Sequence, residues 1–189
     1  MTRLIAILAL AMAALTGGAR AETSDEDLRR LLATPGVHAI MRHALAPGTS
    51  DPAGFRVNDC ATQRNLDGRG RAQARATGDR LRALGARFTQ VRTSQWCRCK
   101  DTADLLALGA PVEDLVLNSF FDDRSTAGSQ TQALAAYLKA LPPGEKVMLV
   151  THQVNITALT RRGVSSGEIY LIRMGAEQAE VLGSLIIDP

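Results

Sequence analysis

The sequence predicts an α/β fold, a three-layer sandwich with a mainly parallel central sheet. Three observations lead there. Short apolar, β-prone runs alternate with longer amphipathic stretches, the pattern of strands crossed over by helices. Two of those runs, residues 37–41 and 146–150, are followed almost at once by a histidine, His43 and His152. That position, just past the carboxyl end of a strand, is where open α/β sheets build their binding crevices. The chain of 189 residues, with no internal repeat, low-complexity tract or linker, is the size of one domain with a sizeable core.

The amino terminus stands apart. A positive start, Met1-Thr2-Arg3, precedes an unbroken apolar run of 12 residues, 4–15, and residues 17–21 end in an A-x-A pattern. This reads as a secretory signal peptide spanning 1–21, with a single domain over 22–189. The run is shorter than the roughly 20 residues of a membrane span, although a retained signal anchor is the competing reading. The expected compartment is outside the cytoplasm, periplasmic or secreted. Cleavage removes Arg3 and Arg20 and leaves 20 basic against 19 acidic residues, so the basic character is partly a property of the leader. With only seven aromatic residues and no basic run interleaved with them, nucleic-acid binding is not expected. No stable membrane span is expected after cleavage, and the sequence does not speak to the oligomeric state.

The elements follow in order. Ser24 can cap a short helix to about Leu32, with Asp25, Glu26 and Asp27 in its first turn. Residues 37–41 form the first strand. Residues 44–65, rich in Gly, Pro, Asp and Asn, make a loop long enough to be a functional segment. An Ala-rich helix over 70–84 closes at Gly85. A strand over 88–93, a helix over 98–108 and a third strand over 112–117 come next. A polar loop, 118–129, leads to a helix over 130–141 that stops at Pro142-Pro143. A fourth strand over 146–150, a helix over 155–161 and a hairpin-like pair, 168–174 with 180–187, complete the chain.

Three cysteines, Cys60, Cys97 and Cys99, in an exported chain predict one disulfide. Cys97 and Cys99 are too close to pair easily, so Cys60 is expected to join one of them and leave the other free. That bond would pin the loop before Arg64 to the turn carrying Arg98. A zinc site competes, but C-x-C without a partner pair is a poor ligand pattern, and no metal is expected.

The chemistry lies in three runs. In Met41-Arg42-His43-Ala44, a neutral imidazole able to attack phosphorus follows a guanidinium able to hold phosphoryl oxygens by paired hydrogen bonds. Arg98 stands near a helix start after Thr93-Ser94, where the amino terminus already favours anions. Thr151-His152-Gln153-Val154-Asn155 repeats the strand-then-histidine arrangement. Each alone has an ordinary structural explanation: a strand-end histidine capping its own backbone, or an exposed helix arginine. Together they agree on phosphoryl chemistry.

These runs resemble the motifs of the histidine phosphatase superfamily, also called phosphoglycerate-mutase-like. The family's R-H-G resembles Arg42-His43-Ala44. Its R-x-L-[TS]-x-x-G-x-x-Q-A resembles Arg64 through Ala74, its S-S-x-x-x-R-A-x-[QE]-T-A resembles Thr93 through Ala103, and its [SA]-H-G-x-N resembles Thr151 through Asn155. The matches keep the family's order over residues 37 to about 160. The resemblance implies that His43 is the nucleophile of a transient phosphohistidine. It further implies that Arg42, Arg98 and His152 neutralise the equatorial oxygens, with Asn155 at the substrate site, and that neither metal nor cofactor is needed. A proton donor is expected from the segment after the third strand, with Asp123 favoured and Asp122 close behind. Ala44 and Gln153 stand where the family has glycine, and the R-H-G-x-R-x-P and His-Asp signatures of the acid phosphatase and phytase branch are missing. The expected function is an exported phosphatase acting on a small phosphomonoester or similar phosphorylated group. The alternatives are a catalytically weak phosphate- or phosphosugar-binding protein and, less favoured outside the cytoplasm, a mutase.

Overall fold

The computed structural model describes residues 23–189. The expected signal peptide lies outside the described residues. The element order is α1 (Asp25–Ala33), β1 (His38–Arg42), α2 (Gly68–Ala83), β2 (Gln90–Thr93), α3 (Cys97–Leu106), β3 (Pro111–Glu113), α4 (Ala127–Ala140), β4 (Val147–Thr151), α5 (Gln153–Thr160), β5 (Ile169–Met174) and β6 (Ala179–Leu185). Short 3₁₀ turns at Cys60–Thr62, Leu115–Leu117 and Arg124–Thr126 punctuate the loops.

One six-stranded sheet runs in the order β3-β2-β4-β1-β5-β6. The four strands from β3 to β1 are parallel, and β5 and β6 extend the sheet as antiparallel neighbours. The two central strands, β1 and β4, are buried along almost their whole length. Side chains alternate across such strands. Met41, Met148 and Val150 accordingly enter one apolar cluster with Leu28, Leu31, Leu81 and Leu106 of α1, α2 and α3. Ile40, Leu149, Tyr170 and Ile172 enter the other, with Leu134 and Leu138 of α4 and Ile156 and Leu159 of α5. Helices therefore cover both faces, and the three-layer sandwich expected from the alternating pattern is the observed architecture.

Local chemistry explains most boundaries. The Ser24 side chain accepts from the Asp27 N–H at 3.2 Å and starts α1. Asp67 accepts from the Gly70 N–H at 2.8 Å and starts α2. Gly78 lets α2 lie against α3: a Cβ there would come within 2.1 Å of the Leu106 carbonyl oxygen.

Two expected boundaries moved by three residues or more. The third strand was expected over 112–117, yet β3 ends at Glu113, whose register partner Thr93 is the last residue of β2. Beyond it Asp114 accepts from the Val116 N–H at 3.0 Å and turns the β-prone Leu115-Val116-Leu117 into a 3₁₀ turn that buries Leu117. In the same way Asp123 caps the turn at Arg124–Thr126, so α4 begins at Ala127, earlier than the expected 130.

Candidate active site

The register of the central strands brings the two histidines together. Arg42 of β1 pairs with Thr151 of β4, so His43 and His152 leave adjacent parallel strands at the same level. The His43 N–H donates to the Thr151 carbonyl at 2.9 Å and locks that relationship. On the next strand, β2, the Ser94 N–H donates to Val150 at 3.0 Å, so Ser94 flanks His152 from the other side. The imidazole rings of His43 and His152 meet edge to face, 5.6 Å between centroids. Trp96 meets the far side of the His152 ring at 5.4 Å.

Each ring has a defined hydrogen-bonding partner. His43 Nδ1 lies 2.8 Å from the Ala44 carbonyl oxygen. A carbonyl only accepts, so in the neutral ring Nδ1 carries the hydrogen and Nε2 carries the lone pair. His152 Nε2 lies 2.8 Å from Ser94 Oγ and 3.5 Å from Cys99 Sγ. Both rings are nearly enclosed, 2% and 4% exposed, and yet both reach the wall of a cavity of about 480 Å3. Burial pushes the His43 pKa well below the ordinary imidazole range, and the nearby charges of Arg98, Arg42 and Arg64 push it further down against the opposing Ala44 hydrogen bond. Burial does the same for His152, helped by His43 and the same three guanidiniums. Both rings are therefore neutral, as a nitrogen nucleophile must be.

Arg42, Arg64 and Arg98 line the same cavity. Arg42 Nη1 donates to the Val164 carbonyl at 3.1 Å, and Arg64 Nη1 donates to the Ala46 carbonyl. Arg98 Nη1 donates to both carboxylate oxygens of Asp51, at 2.8 and 3.1 Å. The Nε–H of all three arginines is buried without a hydrogen-bond partner in the protein. Three cationic donors held by their outer nitrogens, with inner N–H groups unsatisfied, form a site for a tetrahedral anion. With neutral imidazoles, three guanidiniums against the Asp51 carboxylate leave two positive charges. A phosphomonoester carries about that much negative charge at neutral pH. The first turns of α3 and α5 border the cavity and add the positive ends of their peptide dipoles.

The remaining motif residues hold this arrangement in place. The Ala44 N–H donates to Thr102 Oγ1 at 3.0 Å and the Leu45 N–H to Gln73 Oε1 at 2.9 Å, which fixes the turn after His43. Gln73 Nε2 in turn donates to the Ser166 and Ile187 carbonyls. Gly70 is required close by, since a Cβ there would meet the Leu45 carbonyl oxygen at 1.9 Å. Ala44 is fully buried and is not among the residues with positive φ, so the turn beside His43 does not need glycine. Cys60 and Cys97 form a disulfide, and Cys99 is a buried free thiol whose pKa burial pushes up to about 12.

The structure brings Arg42, His43, Arg98 and His152 into one cavity, and it treats two other expected site residues differently. Asn155 is not on the cavity wall; its Nδ2 donates to the Asn118 carbonyl at 2.9 Å and braces the loop after β3. Asp123 is also off the wall. Its carboxylate accepts from the Ser125 N–H and hydroxyl, which hold its pKa below the usual carboxylate range. Asp122, one residue earlier, is on the wall. The capping bond ties the Asp123 carboxylate to its own turn, and Asp122 is the one of the pair that lines the cavity. Two residues were missed by the sequence reading. Arg64 opens the R-x-L run, which was a usable signal. Asp51 sits in an irregular loop, and no local pattern marks it.

A model of the histidine phosphatase superfamily (branch 1) matches residues 39–118, the stretch that holds Arg42, His43, Arg64 and Arg98. No curated protein matches the sequence. Among solved structures, the protein histidine phosphatase SixA complexed with tungstate is similar at a TM-score of 0.58 and 15% identity, over 79% of this chain and 96% of that one. A phosphoglycerate mutase from Thermus thermophilus is similar at a TM-score of 0.55 and 15% identity, over 80% of this chain and 99% of that one. At such identities the likeness to these two is one of fold. The family match over residues 39–118, the shared fold and the paired histidines among arginines make the chain similar to the histidine phosphatase superfamily.

Proposed function

We propose that this protein is an exported phosphatase that hydrolyses a small phosphomonoester through a phosphohistidine on His43. The observation that carries this reading is the pair of neutral imidazoles, 5.6 Å apart, facing three arginines whose buried Nε–H groups no protein atom accepts. In the first step the His43 Nε2 lone pair forms a bond to phosphorus as the bond to the leaving oxygen breaks. Arg42, Arg64, Arg98 and His152 hold the equatorial oxygens, electrostatic work that is usually the largest contribution to catalysis. The leaving oxygen takes a proton from Asp122, the carboxyl on the cavity wall, a role first expected of Asp123. In the second step water attacks phosphorus and gives a proton to the Asp122 carboxylate, the N–P bond breaks, and inorganic phosphate leaves with His43 and the Asp122 carboxyl restored.

Export is supported by the leader pattern over 1–21 and by a disulfide between Cys60 and Cys97, which persists in oxidising compartments. Cell fractionation with an epitope tag at the carboxyl terminus tests the location. Turnover of p-nitrophenyl phosphate tests the reaction. Acid-labile, alkali-stable label from radioactive substrate should appear on the wild type and be lost in His43→Ala. Tight phosphate binding without turnover would instead make the protein a phosphate-binding member of the fold.

A further inference from the structure

The groups proposed to hold the phosphoryl group make up only part of the cavity wall. Its volume of about 480 Å3 lies in the range of roughly 300–1,000 Å3 typical of sites that bury a whole organic ligand. Elsewhere the wall carries apolar side chains among the polar Ser119, Asp122, Gln153 and Thr157. Phe120 and Phe121 come from the loop after the 3₁₀ turn at Leu115–Leu117, Ala127 from the start of α4, and Val154 and Ala158 from α5.

Phe121 is the unusual member. It is 43% exposed and belongs to neither of the large apolar clusters that pack the sheet. Packing of those clusters therefore gives no reason for an aromatic ring there. The Arg124 guanidinium lies over the Phe121 ring, 6.0 Å from its centroid. Arg124 itself is on the wall and forms no ion pair among the described residues. A half-exposed ring under an uncommitted guanidinium, continuous with a phosphoryl site, presents an apolar face next to a set of hydrogen-bond donors.

We propose that this part of the cavity wall is a ring subsite. On the phosphomonoester reading, on which this inference rests, the substrate is then the phosphate ester of a ring-bearing alcohol or phenol. The ring packs its face against Phe121 and Val154, and oxygen substituents on the ring face Arg124. Short-chain phosphates such as a phosphorylated glycerol leave the aromatic wall uncovered and are poorer ligands.

Binding of non-hydrolysable phosphonates, measured by calorimetry on the wild type and two variants, tests this without requiring turnover. Phenylphosphonate should bind about 5- to 10-fold more tightly than methylphosphonate. Phe121→Ala should reduce that ratio to about one. A sugar phosphonate separates the two ring chemistries: Arg124→Ala should weaken it severalfold more than it weakens phenylphosphonate. Equal binding of methyl- and phenylphosphonate to the wild type, or a ratio that survives Phe121→Ala, overturns the ring subsite while leaving the phosphoryl site standing. An equal effect of Arg124→Ala on both rings overturns the oxygen-facing role of Arg124. Failure of every phosphonate and of inorganic phosphate to bind overturns the phosphoryl site, and the ring subsite with it.

Discussion

The carboxylate of Asp51 grips the Nη1 of Arg98 with both oxygens, and this ion pair is almost fully enclosed, 5% and 4% exposed. Asp51 Oδ2 also accepts from the Trp96 indole at 3.0 Å and Oδ1 from the Arg64 N–H at 2.9 Å. Burial opposes the charge on Asp51, yet these hydrogen bonds outweigh it and hold its pKa below the usual range. One carboxylate from the long loop thus orients one arginine of the cavity and the backbone of another.

Asp51→Asn should therefore damage catalysis more than it damages the fold. The amide keeps an acceptor for Arg98 but gives up one carboxylate oxygen and the charge. We expect kcat/KM for p-nitrophenyl phosphate to fall by about 10- to 100-fold, the scale associated with a misplaced catalytic group. Circular dichroism should be unchanged. Asp51→Ala, which leaves Arg98 buried and unpaired, should also cost about 3–5 kcal/mol of stability, read by urea denaturation.

The two neighbouring carboxylates should separate by leaving group. Asp122→Asn is expected to slow hydrolysis of an alkyl phosphate by about 100-fold. It should leave p-nitrophenyl phosphate, whose leaving group needs no proton, within a fewfold of wild type. Asp123→Asn should leave both rates and the stability near wild type, because asparagine keeps the oxygen that caps the turn at Arg124–Thr126. Equal effects of the two variants on the alkyl substrate would remove Asp122 from its assigned role.

Stability should depend on pH through the buried imidazoles. Above about pH 6.5, the unfolded histidine pKa, the rings are neutral in both states and contribute nothing. Below it the unfolded chain takes up protons that His43 and His152 in the folded protein refuse. Stability should therefore fall as the pH drops from 6.5, by up to about 2.7 kcal/mol per pH unit for two such groups. Urea midpoints at pH 7.5, 6.0 and 5.0 measure the slope, and His43→Asn should reduce it. Loss of the Asp51 contribution belongs to a separate window, below about pH 4, because that pKa is depressed from the carboxylate value.

The disulfide should matter for the site as well as for stability. Cys60–Cys97 closes a sequence separation of 37 residues and ties the loop that carries Asp51 to the first turn of α3, where Arg98 stands. Cys60→Ser should lower stability by about 2–5 kcal/mol, and dithiothreitol should do the same to the wild type. Activity should fall in parallel under native conditions, since the loop that orients Arg98 then loses its covalent tether and keeps only its ion pair, hydrogen bonds and apolar contacts. Full activity after verified reduction would contradict this.

The sequence by itself determined the elements and four of the residues that meet at the cavity. Apolar runs of strand length and amphipathic stretches closed by Gly or Pro gave the strand and helix order. Arg42, His43 and His152 could be read because each lies beside a strand end, where local patterning and chemistry coincide. Arg98 could be read because it opens a helix. Only the tertiary structure decided the rest. Insertion of β4 between β1 and β2 sets Arg42 beside Thr151 and so brings two histidines, far apart in the chain, to 5.6 Å. The partnership of Asp51 with Arg98, the place of Asp122 rather than Asp123 on the cavity wall, the bracing role of Asn155 and the early end of β3 all depend on irregular backbone. Such segments take their shape from single side-chain hydrogen bonds, some to distant partners and some, as at Asp114 and Asp123, to a residue two positions on, and no periodicity in the sequence encodes them.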